Sequence, residues 1–145
     1  MKDQLNKLSE EDRELLLKAP ALFSLLAAST DGPITKSEKA EAIELSHLRT
    51  FTAPPTLQPY YREVEKVFQR DLERLIDKYS PITEEQQEAL QEEAESVYAI
   101  LDKLDENFKL DMVISLKSYA RHVGRVHTNF LEYFVFPLSI WGITE

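Results

Sequence analysis

Ala19-Pro20-Ala21-Leu22-Phe23-Ser24-Leu25-Leu26-Ala27-Ala28-Ser29 leaves no broad polar face when it is wound into a helix. Leu22, Phe23, Leu25, Leu26, Ala27 and Ala28 distribute around the whole axis, and a helix that is apolar on every side is a buried one. Such a helix belongs at the centre of a bundle, with amphipathic helices packed around it. Pro20 suits its first turn, where the missing N–H has no partner to lose, so the preceding helix is expected to stop before Pro20. That earlier helix opens at Ser9, an N-cap followed by Glu10, Glu11 and Asp12, acids that complement the positive end of the helix dipole.

On the other side of the apolar run, Asp31-Gly32-Pro33-Ile34-Thr35-Lys36-Ser37-Glu38 reads as a turn into a charged helix. Gly32 permits the tight bend, and Thr35 with Glu38 has the spacing of a capping box. The third helix, from near Lys36, is expected to turn Ala40, Ile43, His47 and Phe51 inward and to stop before Pro54-Pro55. The fourth carries Tyr61, Val64, Phe68, Leu72, Leu75 and Tyr79 at steps of three and four, a core-facing stripe broken by Ser80-Pro81. Thr83 with Gln86 predicts a second capping box, followed by Leu90, Ala94, Val97, Leu101 and Leu104 in register, with Phe108 beyond the fifth helix. The sixth, from about Leu110, directs Val113, Leu116, Ala120 and Val123 inward. Three glycines and no sustained two-residue alternation leave little room for a sheet. The expected fold is therefore all-α, one globular domain over 1–145 built of about six helices. Phe130 to Ile143 is different, rich in Phe, Tyr, Ile, Leu and Trp and interrupted by Pro137 and Gly142. It reads as an aromatic C-terminal strap over the core or as an exposed patch that docks a partner.

Bulk properties exclude several functions. A chain of 145 residues can bury a true core. Its formal charge of −9 lacks the basic footprint of non-specific nucleic-acid binding. Without cysteine there is no disulfide, thiol nucleophile or zinc-finger site. The start at Met1 has no signal-peptide core, and no stretch reaches the ~20 apolar residues of a membrane span, so a cytoplasmic protein is expected.

Three groups of residues suggest chemistry. Asp31 and Glu38 set carboxylates at the two ends of one short loop, and Glu41 lies one helical turn past Glu38. Calcium, magnesium and manganese favour such all-oxygen sets, although a turn and a cap account for the same residues. Glu44-Leu45-Ser46-His47 spells Glu-x-x-His, half of a di-iron carboxylate pattern. No second copy exists, since Tyr119 and Gly124 precede His122 and His127 at that spacing, and His47 on its apolar stripe is expected to be a hydrogen-bonded core histidine. Lys117, Arg121 and Arg125 recur every four residues, a basic line that serves as a wet helix face or as a docking strip for a protein partner. With Phe134 and Trp141 of the aromatic tail, this strip defines a metal-independent interaction surface. No Gly-x-Ser-x-Gly elbow, Gly-rich phosphate loop or triad spacing is present, and no enzyme is expected.

The run Leu15-Leu16-Leu17-Lys18-Ala19-Pro20-Ala21-Leu22, with Ala27-Ala28-Ser29-Thr30 leading into the Asp31–Glu38 turn, resembles the tellurite-resistance TerB-like family. Ser118-Tyr119-Ala120-Arg121-His122-Val123-Gly124, with Ile143-Thr144-Glu145 at the end, is similar to the second half of the same pattern. The resemblance implies an all-helical fold of two related halves, the second ending at Glu145 before its acidic turn. It also implies an acidic divalent-cation centre, onto which only Asp31 and Glu38 carry over, and a non-catalytic sensing or scaffolding role in stress or tellurite resistance. Thr35 stands where many members have an acid.

Overall fold

Backbone donors and acceptors explain where each helix begins and which one lies at the centre. In a computed structural model of the chain, residues 2–29 and 34–123 are described, and among them six helices occur. They are α1 Lys2–Asn6, α2 Glu10–Ala28, α3 Lys36–Thr52, α4 Gln58–Lys78, α5 Glu84–Leu101 and α6 Glu106–Val123. The all-α class is as expected, and α2 is the central helix, packed against α3, α4, α5 and α6. No described helix is long and apolar enough to cross a membrane.

The break expected before Pro20 does not occur, for α2 runs straight through it. An internal proline offers no N–H, so the Leu16 carbonyl four residues back loses its helical donor. The Tyr60 hydroxyl on α4 donates to that carbonyl at 2.6 Å. Both residues are fully buried, so a tertiary bond satisfies an acceptor that water cannot reach. Ser9 caps α2 as anticipated, its hydroxyl accepting the Asp12 N–H at 3.1 Å.

The short α1 was not foreseen. Leu5 and Leu8 join the core, and the Gln4 side-chain oxygen accepts the Asp105 N–H at 3.0 Å, tying the chain start to the entrance of α6. That entrance lies four residues earlier than the apolar pattern suggests. Asp105 Oδ2 accepts the N–H groups of Asn107 and Phe108 at 3.1 and 3.4 Å, which sets the cap. Phe108 thus belongs to α6 and meets Tyr60 edge-on at 6.3 Å. At α5 the Thr83 hydroxyl accepts the Gln86 N–H at 3.1 Å, the threonine half of the box anticipated there.

The stripes anticipated on α4 and α5 do face the core: Tyr61, Val64, Phe68, Leu72, Leu75 and Tyr79, with Leu90, Ala94, Val97, Leu101 and Leu104, are all buried. On α3 the expectation holds only for Ile43, which is half-buried and packs against the core. Ala40, His47 and Phe51 face solvent, Phe51 with 70 % of its surface exposed. The inward face is made instead of Ala42, Ser46 and Thr50, continued by Ala53. These small side chains let α3 lie close against α4 and α6. His47 is therefore no core histidine; its Nδ1 meets the Glu65 carboxylate on the surface of α4.

Candidate functional site

At the start of α3 the capping box is complete. Thr35 Oγ1 accepts the Glu38 N–H at 3.0 Å, and Glu38 Oε1 accepts the Thr35 N–H at 2.9 Å. The box satisfies two of the helix's orphan donors and aims the Glu38 carboxylate back at its own backbone. Glu41 is exposed one turn on, and Lys39 is drawn away to Glu73 on α4 at 3.2 Å. The Glu73 carboxyl lies below its usual range through hydrogen bonds from Gln69 and Lys39 and the Lys39 charge. Asp31 lies outside the described residues. Among those described, no three His, Asp or Glu side chains converge in the way a cation needs. Glu38 and Glu41 alone therefore do not make a donor set for a hard cation.

The outer side of α6 carries a different kind of surface. Leu110 and Ile114 are 40 % and 62 % exposed, and Lys117 follows at the next step along the same face. Arg121 falls in the last turn of α6, while Arg125, Phe134 and Trp141, with the whole aromatic segment 130–143, lie outside the described residues. Beside Ile114 a groove of about 240 Å³ opens between α3 and α6, with Arg49, Pro54, Asp111 and Ser118 along it. The Arg49 guanidinium donates to the Ser118 hydroxyl, and the Thr56 hydroxyl donates to Asp111 Oδ2 at 2.6 Å. Deeper, the Tyr61 and Ser115 hydroxyls are hydrogen-bonded to each other. Burial pushes the Tyr61 hydroxyl up to about 12, against the Ser115 bond and the Arg49 charge, which both lower it. These polar links tie α6, which carries the apolar ridge, to α3, to α4 and to the loop between them.

Sequence patterning missed this ridge because Leu110 and Ile114 interleave with the inward positions Met112, Val113 and Leu116. The signal was present: placed in one helix, Leu110, Ile114, Lys117 and Arg121 share a face at steps of four, three and four. Glu44, the other half of Glu-x-x-His, is exposed near His47 and belongs to no ligand cluster among the described residues.

What the fold and this surface define is a helical bundle that exposes Leu110 and Ile114 beside Lys117 on one helix face. Compared with known proteins, the chain matches no family model, no curated protein and no solved structure.

Proposed function

We propose that this chain is a non-catalytic helical module of the TerB-like kind, acting in stress or tellurite resistance by holding a protein partner on the outer face of α6. The observation that carries this is the exposed pair Leu110 and Ile114 beside Lys117. Apolar side chains beside a lysine, on a chain of net charge −9, suit an amphipathic acidic segment rather than a nucleic acid. Arg121 and Arg125 extend the basic line in sequence, and the aromatic segment with Phe134 and Trp141 is proposed to strap the core beside it. The test is cross-linking in cells followed by recovery of the tagged chain. Ile114→Glu with Lys117→Glu is expected to lose a partner that the wild type retains, at unchanged helical circular dichroism. An identical partner set from the double variant and from a chain cut before Phe130 would refute the proposal.

A divalent cation at Asp31, Glu38 and Glu41 is the second reading. What favours it is that the capping bond pins the Glu38 carboxylate at the loop end of α3, next in sequence to the turn that carries Asp31. Calorimetric titration with calcium, magnesium and manganese, beside Asp31→Ala, tests it. Absence of heat from the wild type at millimolar ion would end it.

A further inference from the structure

Where α2 and α4 meet, a groove of about 330 Å³ carries a charge opposite to that of the chain as a whole. Leu17, Val67 and Leu75 make its apolar lining, and Lys18, Arg70, Arg74 and Lys78 stand around it. Arg70, Arg74 and Lys78 are spaced by four, so they share one side of α4 over about 12 Å. Acids answer these cations incompletely. Asp71 Oδ1 accepts from Arg70 Nη2 and Nε at 3.1 and 3.3 Å. A single carboxylate, Glu93 on α5, takes both Lys18 at 2.8 Å and Lys78 at 3.2 Å, together with the Tyr79 hydroxyl. Burial works to raise the Glu93 carboxyl, and the bonds from Lys18 and Tyr79 with the two lysine charges outweigh it, so the group lies below its usual range. Glu14 is the remaining acid at the groove, and Arg74 has no acidic partner among the described residues.

We infer that this groove binds a phosphate monoester carried on a small apolar body. A guanidinium offers a planar fork that matches phosphate oxygens in pairs, which a lone ammonium does not. Arg74 supplies such a fork and is engaged in no ion pair among the described residues. Lys18 and Lys78 are already held by Glu93, so a ligand recruits them with less ordering left to do. Leu17, Val67 and Leu75 give the ester's organic part a dry surface, and the volume suits a small molecule. A dianion is attracted to the groove's surplus positive charge more strongly than a monoanion, by Coulomb's law. None of this rests on the α6 face.

The test is titration of the full chain at low ionic strength with phenyl phosphate and with inorganic phosphate, followed by amide chemical shifts and calorimetry. Phenyl phosphate is expected to bind in one-to-one ratio, more tightly than inorganic phosphate, with shifts confined to α2, α4 and the Glu93 turn of α5. Arg74→Gln should weaken it by about tenfold. Glu14→Gln should tighten it several-fold, a result that a purely structural role for these exposed residues does not produce. No saturable binding at millimolar phenyl phosphate, or equal affinity for wild type and Arg74→Gln, would overturn the assignment. Vesicles of phosphatidylcholine with and without phosphatidic acid separate a free ester from a lipid headgroup. Sedimentation with the acidic vesicles alone, with no response to phenyl phosphate, would also overturn it.

Discussion

Because Pro20 brings no N–H into α2, the Leu16 carbonyl depends on the Tyr60 hydroxyl 44 positions along the chain. Tyr60→Phe keeps the ring and removes only that donor, leaving a buried acceptor unpaired at a cost of about 1–3 kcal/mol. The same change made on Pro20→Ala should cost markedly less, since an alanine N–H restores the helical bond. Urea unfolding of both single variants and the double variant measures the coupling; equal costs in the two backgrounds would show that the hydroxyl acts elsewhere. Pro20 itself was visible in the sequence, and its placement at a helix start followed from the usual preference of proline. A donor reaching in from a distant helix leaves no local trace, and so the continuous α2 was not legible.

Among the elements, α3 shows why periodicity can select the wrong face. Its large apolar residues are few and scattered, and the stripe through Ile43, His47 and Phe51 is the one that stands out. The fully buried positions are Ala42, Ser46, Thr50 and Ala53, whose value lies in their small size rather than their hydrophobicity, with Ile43 and Leu45 half-buried beside them. Close approach of two backbones selects small side chains, and a hydropathy pattern does not register that. Phe51→Ala is accordingly expected to change stability by no more than about 0.5 kcal/mol. Phe68→Ala, on the inward stripe of α4, is expected to cost about 3–5 kcal/mol. Thermal unfolding of the pair checks the assignment, and a large loss at Phe51 would restore the inward stripe. On α4 and α5 the large residues and the contact face coincide, and there the sequence pattern sufficed. The entrance to α6 was readable in hindsight from Asp105-Glu106, an N-cap with an acid behind it.

For the molecule as a whole, the titrating groups set the pH range of stability. Tyr61, Tyr79 and Tyr98 are all held above the ordinary tyrosine value. Burial is the chief cause in each, with the Glu93 bond and charge added at Tyr79. Unfolded tyrosines ionise near pH 10. Above that the unfolded chain binds fewer protons than the folded one, so stability falls as pH rises. For Tyr61 the contribution is complete below about pH 10 and is lost by about 12, which corresponds to roughly 2–3 kcal/mol. Urea midpoints at rising pH should decline through this window, and less steeply in Tyr61→Phe. Phenolate absorbance showing all six tyrosines ionised near pH 10 in the folded state would contradict the placement. At the acid end Glu93 acts with the opposite sign. Its carboxyl is held low in the fold, so its contribution is present above the ordinary glutamate value and is lost as pH falls. Glu93→Gln should therefore flatten the acid side of the stability profile, and an unchanged profile would show that Lys18 and Lys78 gain nothing from the charge.

Local chemistry along the chain was enough to specify helix after helix, the apolar centre at Leu22 to Ala28, and the caps at Ser9 and Thr35. Each of these depends on neighbours within about four residues, the reach of a helical hydrogen bond. Which way α3 turns, how α2 survives Pro20, and how Lys18 comes to share Glu93 with Lys78 all depend on groups brought together from separate helices. Contacts of that kind exist only after the bundle has closed, because packing rather than spacing puts the partners within reach.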